Sequence, residues 1–273
     1  MRLRPEKFTP NPIIDLTDSY KFCHYEALPT DLRGLFAYLE SRGGRYSETV
    51  FFGLQPILEE YFTIRINEEM VDEAEAFETE HGFDFNREGW MRIVRVHDGK
   101  LPIRIRAVRE GSVVPYKNAL MTVESTDPEL AWLTTYVETA LVRMWYPMTV
   151  ATRIHNMKKT FVKYWNKAAT NLDGIGFALL DFSARGCTSL GANFLGASAY
   201  LASFMGSDSA AGIRYANYYY RHQMAGFSVK ATEHSVMCSY TREYERDSFR
   251  QLINRVGRRD KILSVVSDTW SIS

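Results

Sequence analysis

Over roughly the first 170 residues the apolar positions follow a mixed rhythm, and cap and turn residues divide the chain into short elements. Thr17 and Asp18 are placed to cap a short helix ending near Pro29, and Leu35-Phe36-Ala37-Tyr38-Leu39 then predicts a buried strand. Asn67 caps a helix with an acidic first turn that Gly82 closes, and Asn86 caps another running toward Gly99. Leu101, Ile103 and Ile105 alternate with Arg104 and Arg106, which predicts a strand with one buried side and one solvated or anion-facing side. Asp127-Pro128 reads as an N-cap and first helical residue, opening a helix through Leu133, Val137, Leu141 and Met144 that stops at Pro147. A further helix is expected over 149–167.

After Asn171 the pattern changes to strand and helix in alternation: an apolar strand at 176–182, helices over 191–204 and 210–222, a strand at 227–231, a helix over 243–256 and a strand at 262–266. Such βαβαβ order predicts a parallel sheet with right-handed crossovers. Arg185, His234 and Asp268 then fall in loops beyond the strand C-termini, where α/β barrels carry their chemistry. A closed barrel takes about eight strands, and only the first few are legible before Ser273, the last of them without a covering element. The expectation is an α/β chain with a mixed N-terminal domain and dimerisation helices over 1–170. Over 171–273 it continues into the first part of an irregular α/β barrel that is cut short.

Composition narrows the class. A chain of 273 residues corresponds to roughly two domains, and 45% hydrophobic with 24% charged residues excludes disordered, collagen-like and coiled-coil chains. Lys+Arg and Asp+Glu balance at 33 each, so the basic excess of a phosphate-neutralising nucleic-acid binder is missing. Cys23, Cys187 and Cys238 show no close pairing pattern, which argues against a disulfide framework or zinc knuckle and fits a cytoplasmic setting. The uncharged run 186–207 contains Thr188, Ser189, Asn193, Ser198 and Ser203, a composition that suits a buried small-residue helix and not a membrane span.

Several residues carry two readings each. His234, between Glu233 and Ser235 just past a strand, is either a phosphate-accepting or proton-handling histidine oriented by Asp268, or an ordinary surface or satisfied core histidine. Asp268 reads equally well as a helix cap. Arg185 before Gly186 suits an anion site near a helix N-terminus, or an ion pair with Asp181. Asp208 reads first as a helix cap, and Tyr20 and Phe182 as core aromatics. No phosphate loop and no dinucleotide fingerprint is present, and the six histidines, at 24, 81, 97, 155, 222 and 234, offer no metal-binding pair.

Ordered motifs across 15–268 are similar to those of the nicotinamide phosphoribosyltransferase family. They are Thr17-Asp18-Ser19-Tyr20-Lys21 with His24-Tyr25, Glu48 to Gln55, Ser125 to Glu129, Trp145-Tyr146-Pro147 with Thr149 to Thr152, and Asn171 to Gly174. Asp181-Phe182 with Arg185-Gly186, Gly206-Ser207-Asp208, Glu233-His234-Ser235 and Val265 to Asp268 complete the set. The resemblance implies a type II phosphoribosyltransferase working as a homodimer with shared sites. Its reaction joins nicotinamide to phosphoribosyl pyrophosphate, giving nicotinamide mononucleotide and pyrophosphate for NAD salvage, with Mg²⁺ and coupled ATP hydrolysis through a phosphohistidine.

By the same resemblance Phe182 and Tyr20 of the partner subunit sandwich the pyridine ring, with Asp18 in the same substrate-binding motif as Tyr20. Asp208 accepts the carboxamide N–H, Arg185 holds the ring amide or the pyrophosphate side, and Arg42 reaches pyrophosphate across the dimer. His234 is implied as the phosphorylated histidine with Asp268 as its partner. The chain departs from the family pattern at Ser183-Ala184, where Gly-Tyr is usual, and at Met205, where a basic residue is usual. Two alternatives stand beside this reading: a nicotinate phosphoribosyltransferase, whose acidic substrate suits a neutral or basic group where Asp208 sits, and a non-catalytic remnant that dimerises.

Overall fold

The computed structural model describes residues 13–259 and 262–270. Its first part begins with a tight turn at Ser19–Cys23 that runs into α1 (His24–Ala27), followed by β1 (Phe36–Glu40) and β2 (Glu48–Val50). Next come α2 (Leu54–Ile57), α3 (Glu68–Glu80), α4 (Arg87–Val96), β3 (Ile103–Ala107), β4 (Val113–Pro115) and β5 (Ala119–Ser125). The two predicted caps are in place: Asn67 accepts a hydrogen bond from the Met70 N–H at 2.9 Å and Asn86 accepts one from the Gly89 N–H at 3.1 Å. Gly82 has φ +96°, a left-handed conformation open to glycine, and follows the last turn of α3.

β1, β5 and β3 form an antiparallel sheet in that order, with Phe36 opposite Glu124 and Ile103 opposite Ser125, while β2 pairs with β4. β3 alternates as predicted. The buried strand expected at 35–39 is corrected: β1 lies at the edge of the sheet, and Phe36 and Tyr38 are exposed while Ala37 and Leu39 pack on the core. A sheet covered on one side only permits this alternation, which the unbroken apolar run had concealed. Behind the sheet, Trp90, Trp132 and Tyr136 pack edge to face with ring centres 5.1 to 5.3 Å apart, joined by Phe51, Ile93, Leu133, Leu141 and Met144.

The long helix expected from Pro128 to Pro147 is also corrected. It is a tight turn at Pro128–Leu130 followed by α5 (Leu133–Tyr136) and α6 (Glu138–Val142), and Pro147 lies in the first turn of α7 (Trp145–Ala168). A proline there forfeits no hydrogen bond, because first-turn N–H groups have no intrahelical acceptor. Asp127 anchors the start: it accepts from the Glu129 N–H at 3.0 Å and from Arg92 Nε at 2.7 Å, and His97 Nε2 lies 2.7 Å from the same oxygen as Arg92. Burial opposes its ionisation, but these partners outweigh it and hold the carboxyl down at about 2. Since its ordinary value is higher, the stabilisation is present above about pH 4 and is lost as pH falls through 2. Asp127→Asn is expected to lower stability by about 1 to 2 kcal/mol at pH 7 and by little near pH 2, measured by denaturant titration at both values.

The second part contains β6 (Leu180–Asp181), α8 (Leu190–Leu201), β7 (Gly206–Ser207), α9 (Ala210–Tyr219), β8 (Lys230–Ala231), α10 (His234–Cys238), α11 (Glu245–Arg255) and β9 (Leu263–Ser264). β6 and β7 are parallel, Gly206 bridges Phe227 in parallel, and β8 and β9 are parallel, so adjacent segments follow chain order. The strands are shorter than expected, and Gly206-Ser207 is itself a strand where the sequence suggested only a cap. The uncharged run does form a buried helix: α8 packs between α7 and α9, where a Cβ at Gly212 would overlap that of Ala197. Among the described residues all three cysteines are free, and no helix is long and apolar enough to cross a membrane.

Candidate active site

Short parallel strands end abruptly, and the residues just beyond their C-termini are held by backbone and hydroxyl contacts that cross from one strand to the next. Asp181, at the end of β6, is buried and spends both oxygens internally: Oδ1 accepts from the Ser183 N–H at 2.9 Å and Oδ2 from Ser207 Oγ at 2.8 Å. Its carbonyl accepts from the Asp208 N–H at 2.9 Å. This fastening turns the next residue, Phe182, outward with 65% of its surface exposed.

Phe182 borders a cleft of about 660 Å³ whose walls include Trp145, Tyr146, Arg153, Leu180 and Tyr200. Burial and the neighbouring Cys187 push the Tyr146 phenol up, so it is a neutral hydroxyl at ordinary pH. Asp208 does not cap α9. The capping position belongs to Ser209, whose side chain makes no cap bond, while the exposed Asp208 carboxylate accepts a hydrogen bond from Ser228 Oγ.

Arg185 is not paired with Asp181. Its side chain is 92% exposed and approaches Glu233 at 3.9 Å. His234 opens α10, and its Nε2 lies 3.1 Å from Asp268 Oδ1, so residues 34 positions apart meet at the ends of β8 and β9. Contacts thus connect Asp181, Asp208 and Ser228 in one group, and Arg185, Glu233, His234 and Asp268 in another, along the same strand ends. Met205 adds its backbone to this frame: its N–H donates to Gly176 O at 2.8 Å and its carbonyl accepts from the Phe227 N–H at 2.7 Å.

The N-terminal candidates are held by other partners. Lys21 is buried, donating to Thr135 O at 2.8 Å and pairing with Glu138 at 2.5 Å, and Phe22 joins the core. Tyr20 is thereby pinned outward, its ring beside His24, while Asp18 accepts from Thr139 Oγ1 at 2.5 Å. Arg42 is exposed on the β1–β2 loop, ahead of Gly43 at φ +99°. Neither Asp18 nor Tyr20 touches the strand-end residues, and in a single chain these two sets remain separate.

Sequence reasoning missed the polar group behind the rim: buried Asn193 and Ser209 and half-buried Ser183 make mutual contacts of 3.2 to 3.4 Å. The one available signal was Asn193 itself, an amide within an otherwise small and apolar helix. Among the described residues no group of three or more His, Cys, Asp or Glu side chains is arranged to hold a metal ion.

Comparison with known proteins yields two family matches. Residues 12–105 match the nicotinamide phosphoribosyltransferase N-terminal domain, and residues 177–270 match the nicotinate phosphoribosyltransferase family. A nicotinamide phosphoribosyltransferase of Xanthomonas campestris is 43% identical over 257 residues, covering 94% of this chain and 55% of the relative. One of Acinetobacter baylyi is 32% identical over 284 residues, covering 96% and 55%. The chain therefore spans about half the length of the curated relatives it matches. A crystal structure of human nicotinic acid phosphoribosyltransferase has a similar fold, with a TM-score of 0.57 at 16% identity, covering 82% of this chain and 40% of that one.

Proposed function

We propose that this chain belongs to the nicotinamide phosphoribosyltransferase family, whose members it resembles over most of its length, and serves the transfer of a phosphoribosyl group from phosphoribosyl pyrophosphate to nicotinamide. The observation that carries the reading is the placement of Phe182, Asp208, His234 and Asp268 just past the ends of adjacent parallel strands. In this reaction the pyridine nitrogen bonds to the ribose carbon as the bond to pyrophosphate breaks, and the charge on the leaving group is carried by its phosphates. A neutral pyridine is a weak nucleophile, so rate depends on holding the ring in line with the ribose carbon.

Each side chain then has a task. The exposed Phe182 ring offers one stacking face, and Tyr20 of the partner subunit the other. Asp208 accepts from the carboxamide, Arg185 and Arg42 meet the anionic end, and His234 takes a phosphoryl group from ATP with Asp268 orienting its ring. A shared site of this kind accounts for Tyr20 making no contact with the rim within one chain, and a cytoplasmic homodimer belongs to the same proposal. So does the division near residue 170, which the two family matches flank.

The adjacent parallel segments in chain order support an incomplete α/β barrel as the second domain. Mg²⁺ enters as the counter-ion of pyrophosphate. Among the described residues no three His, Cys, Asp or Glu side chains gather to hold a cation, so the proposal has Mg²⁺ arrive with the pyrophosphate.

The test uses an enzyme of the relatives' full length that carries this sequence, with nicotinamide and phosphoribosyl pyrophosphate as substrates and nicotinamide mononucleotide detected by mass. Phe182→Ala is expected to raise the KM for nicotinamide by about tenfold through the lost stacking. His234→Ala is expected to abolish acid-labile labelling by γ-labelled ATP. Product absent from the unmodified enzyme rejects the reaction, and label persisting in the His234 variant rejects the phosphohistidine.

A further inference from the structure

Behind Phe182 and Asp208 lies a polar knot that neither residue enters directly. Ser183 follows Phe182 and Ser209 follows Asp208, and the two hydroxyl oxygens are 3.2 Å apart. Asn193, in the middle of α8, points its amide nitrogen at both, 3.2 Å from Ser183 Oγ and 3.4 Å from Ser209 Oγ. Asn193 is 2% exposed and Ser209 0%. The three atoms close a triangle of polar contacts in which one amide N–H is shared between the two hydroxyl oxygens and one hydroxyl donates to the other.

The Ser183 turn and the start of α9 also meet through the β6–β7 ladder, the contacts of Asp181 and packing against α8, and the knot is the side-chain hydrogen-bonded link that reaches both from α8. Closeness of the frame adds to the effect, because α9 lies against α8 at Gly212, where a Cβ would overlap that of Ala197.

We propose that Asn193 is a positioning residue: acting through Ser183 and Ser209, it sets the spacing between the Phe182 ring and the Asp208 carboxylate and so tunes binding of the pyridine carboxamide. This rests on the reaction proposed above and deepens it. A side chain that only stabilised the fold would leave ligand affinity alone, whereas a spacer changes the affinity for the ring and spares the anionic substrate.

Two measurements on the purified chain test the inference: hydrogen exchange by mass spectrometry without ligand, and dissociation constants for nicotinamide and phosphoribosyl pyrophosphate by calorimetry. Asn193→Ala is expected to speed exchange at 181–186 and 206–210 together and to weaken nicotinamide by about three- to tenfold, with phosphoribosyl pyrophosphate changed by less than about twofold. Ser183→Ala, at a half-buried position that tolerates truncation, is expected to show the same pattern more weakly, and the double variant no more than Asn193→Ala alone. Exchange rising in one segment only, or both ligands weakening in parallel, overturns the proposal. An unmodified chain that binds no nicotinamide counts against the ligand assignment, and the exchange pattern still decides whether Asn193 couples the two segments.

Discussion

Asp208→Asn is expected to lower the preference for nicotinamide over nicotinate by between about tenfold and several hundredfold. Two like charges about 4 Å apart repel by roughly 4 kcal/mol at an effective dielectric near 20, and each 1.4 kcal/mol is a factor of ten. The Asp208 side chain is exposed, so water screens part of this and the lower end of the range is the safer expectation. Ser228 Oγ donates to one carboxylate oxygen and leaves the other for the carboxamide. Asparagine keeps an acceptor for Ser228, removes the charge that opposes a carboxylate, and can donate to it. The readout is the ratio of kcat/KM for the two substrates in the full-length enzyme carrying this sequence. An unchanged ratio would reduce Asp208 to a partner of Ser228.

That prediction depends on a residue whose simplest sequence reading, a helix cap, was wrong. Gly206-Ser207-Asp208 before an apolar helix carries the ordinary signature of an N-terminus, and nothing local distinguishes it from a two-residue parallel strand. Strand identity there comes from Leu180 and Phe227 on either side, contacts made across more than 20 residues of chain. The alternative reading of Arg185, an ion pair with Asp181, fails for a related reason. Proximity to Asp181 in sequence suggested an ion pair, but the Asp181 oxygens are committed to Ser183 N and Ser207 Oγ, the second of which belongs to the next strand.

Local signals fared better where the chemistry was local. Asn67 and Asn86 cap their helices because the side-chain acceptor and the N–H it satisfies lie three residues apart. The alternation of isoleucine and arginine in β3 is visible because it has period two. Pro147 misled because proline stops a helix when it interrupts the ladder and starts one when it stands in the first turn, and only packing of Met144 and Met148 in the core shows which applies. His234 and Asp268 were paired correctly from their places after successive strands, and their 3.1 Å contact follows from the parallel ladder of β8 and β9. The Asn193 knot was invisible because its three members come from separate elements.

Unfolding experiments on Glu78→Gln are expected to show the larger of the two stability effects, with a sign opposite to that of Asp127. Glu78 is 2% exposed on α3; burial first, and the negative charge of Asp15 second, push its carboxyl up to about 8 against a smaller opposing contribution from Tyr136. Tyr136 donates its hydroxyl proton to Ile14 O at 2.8 Å, and Glu78 Oε1 is buried without a hydrogen-bond partner, so an ionised Glu78 has little to offset its burial. The folded chain therefore holds a proton that the unfolded chain releases above its ordinary value of 4.5. Between those two values the folded state binds more protons than the unfolded state, so stability falls as pH rises from 4.5 to 8 and is level beyond. The span of the shift sets an upper bound of about 5 kcal/mol, and relaxation around the ionised group brings the expected loss to about 2 to 4 kcal/mol. Glutamine has the same shape without the ionisation, so the variant should exceed the unmodified chain by that amount at pH 8.5 and match it near pH 4.5. Guanidinium unfolding midpoints at the two pH values decide it. Parallel curves for the two proteins would mean that Glu78 is ionised in the folded chain and that its charge is compensated by water or by a movement of Asp15.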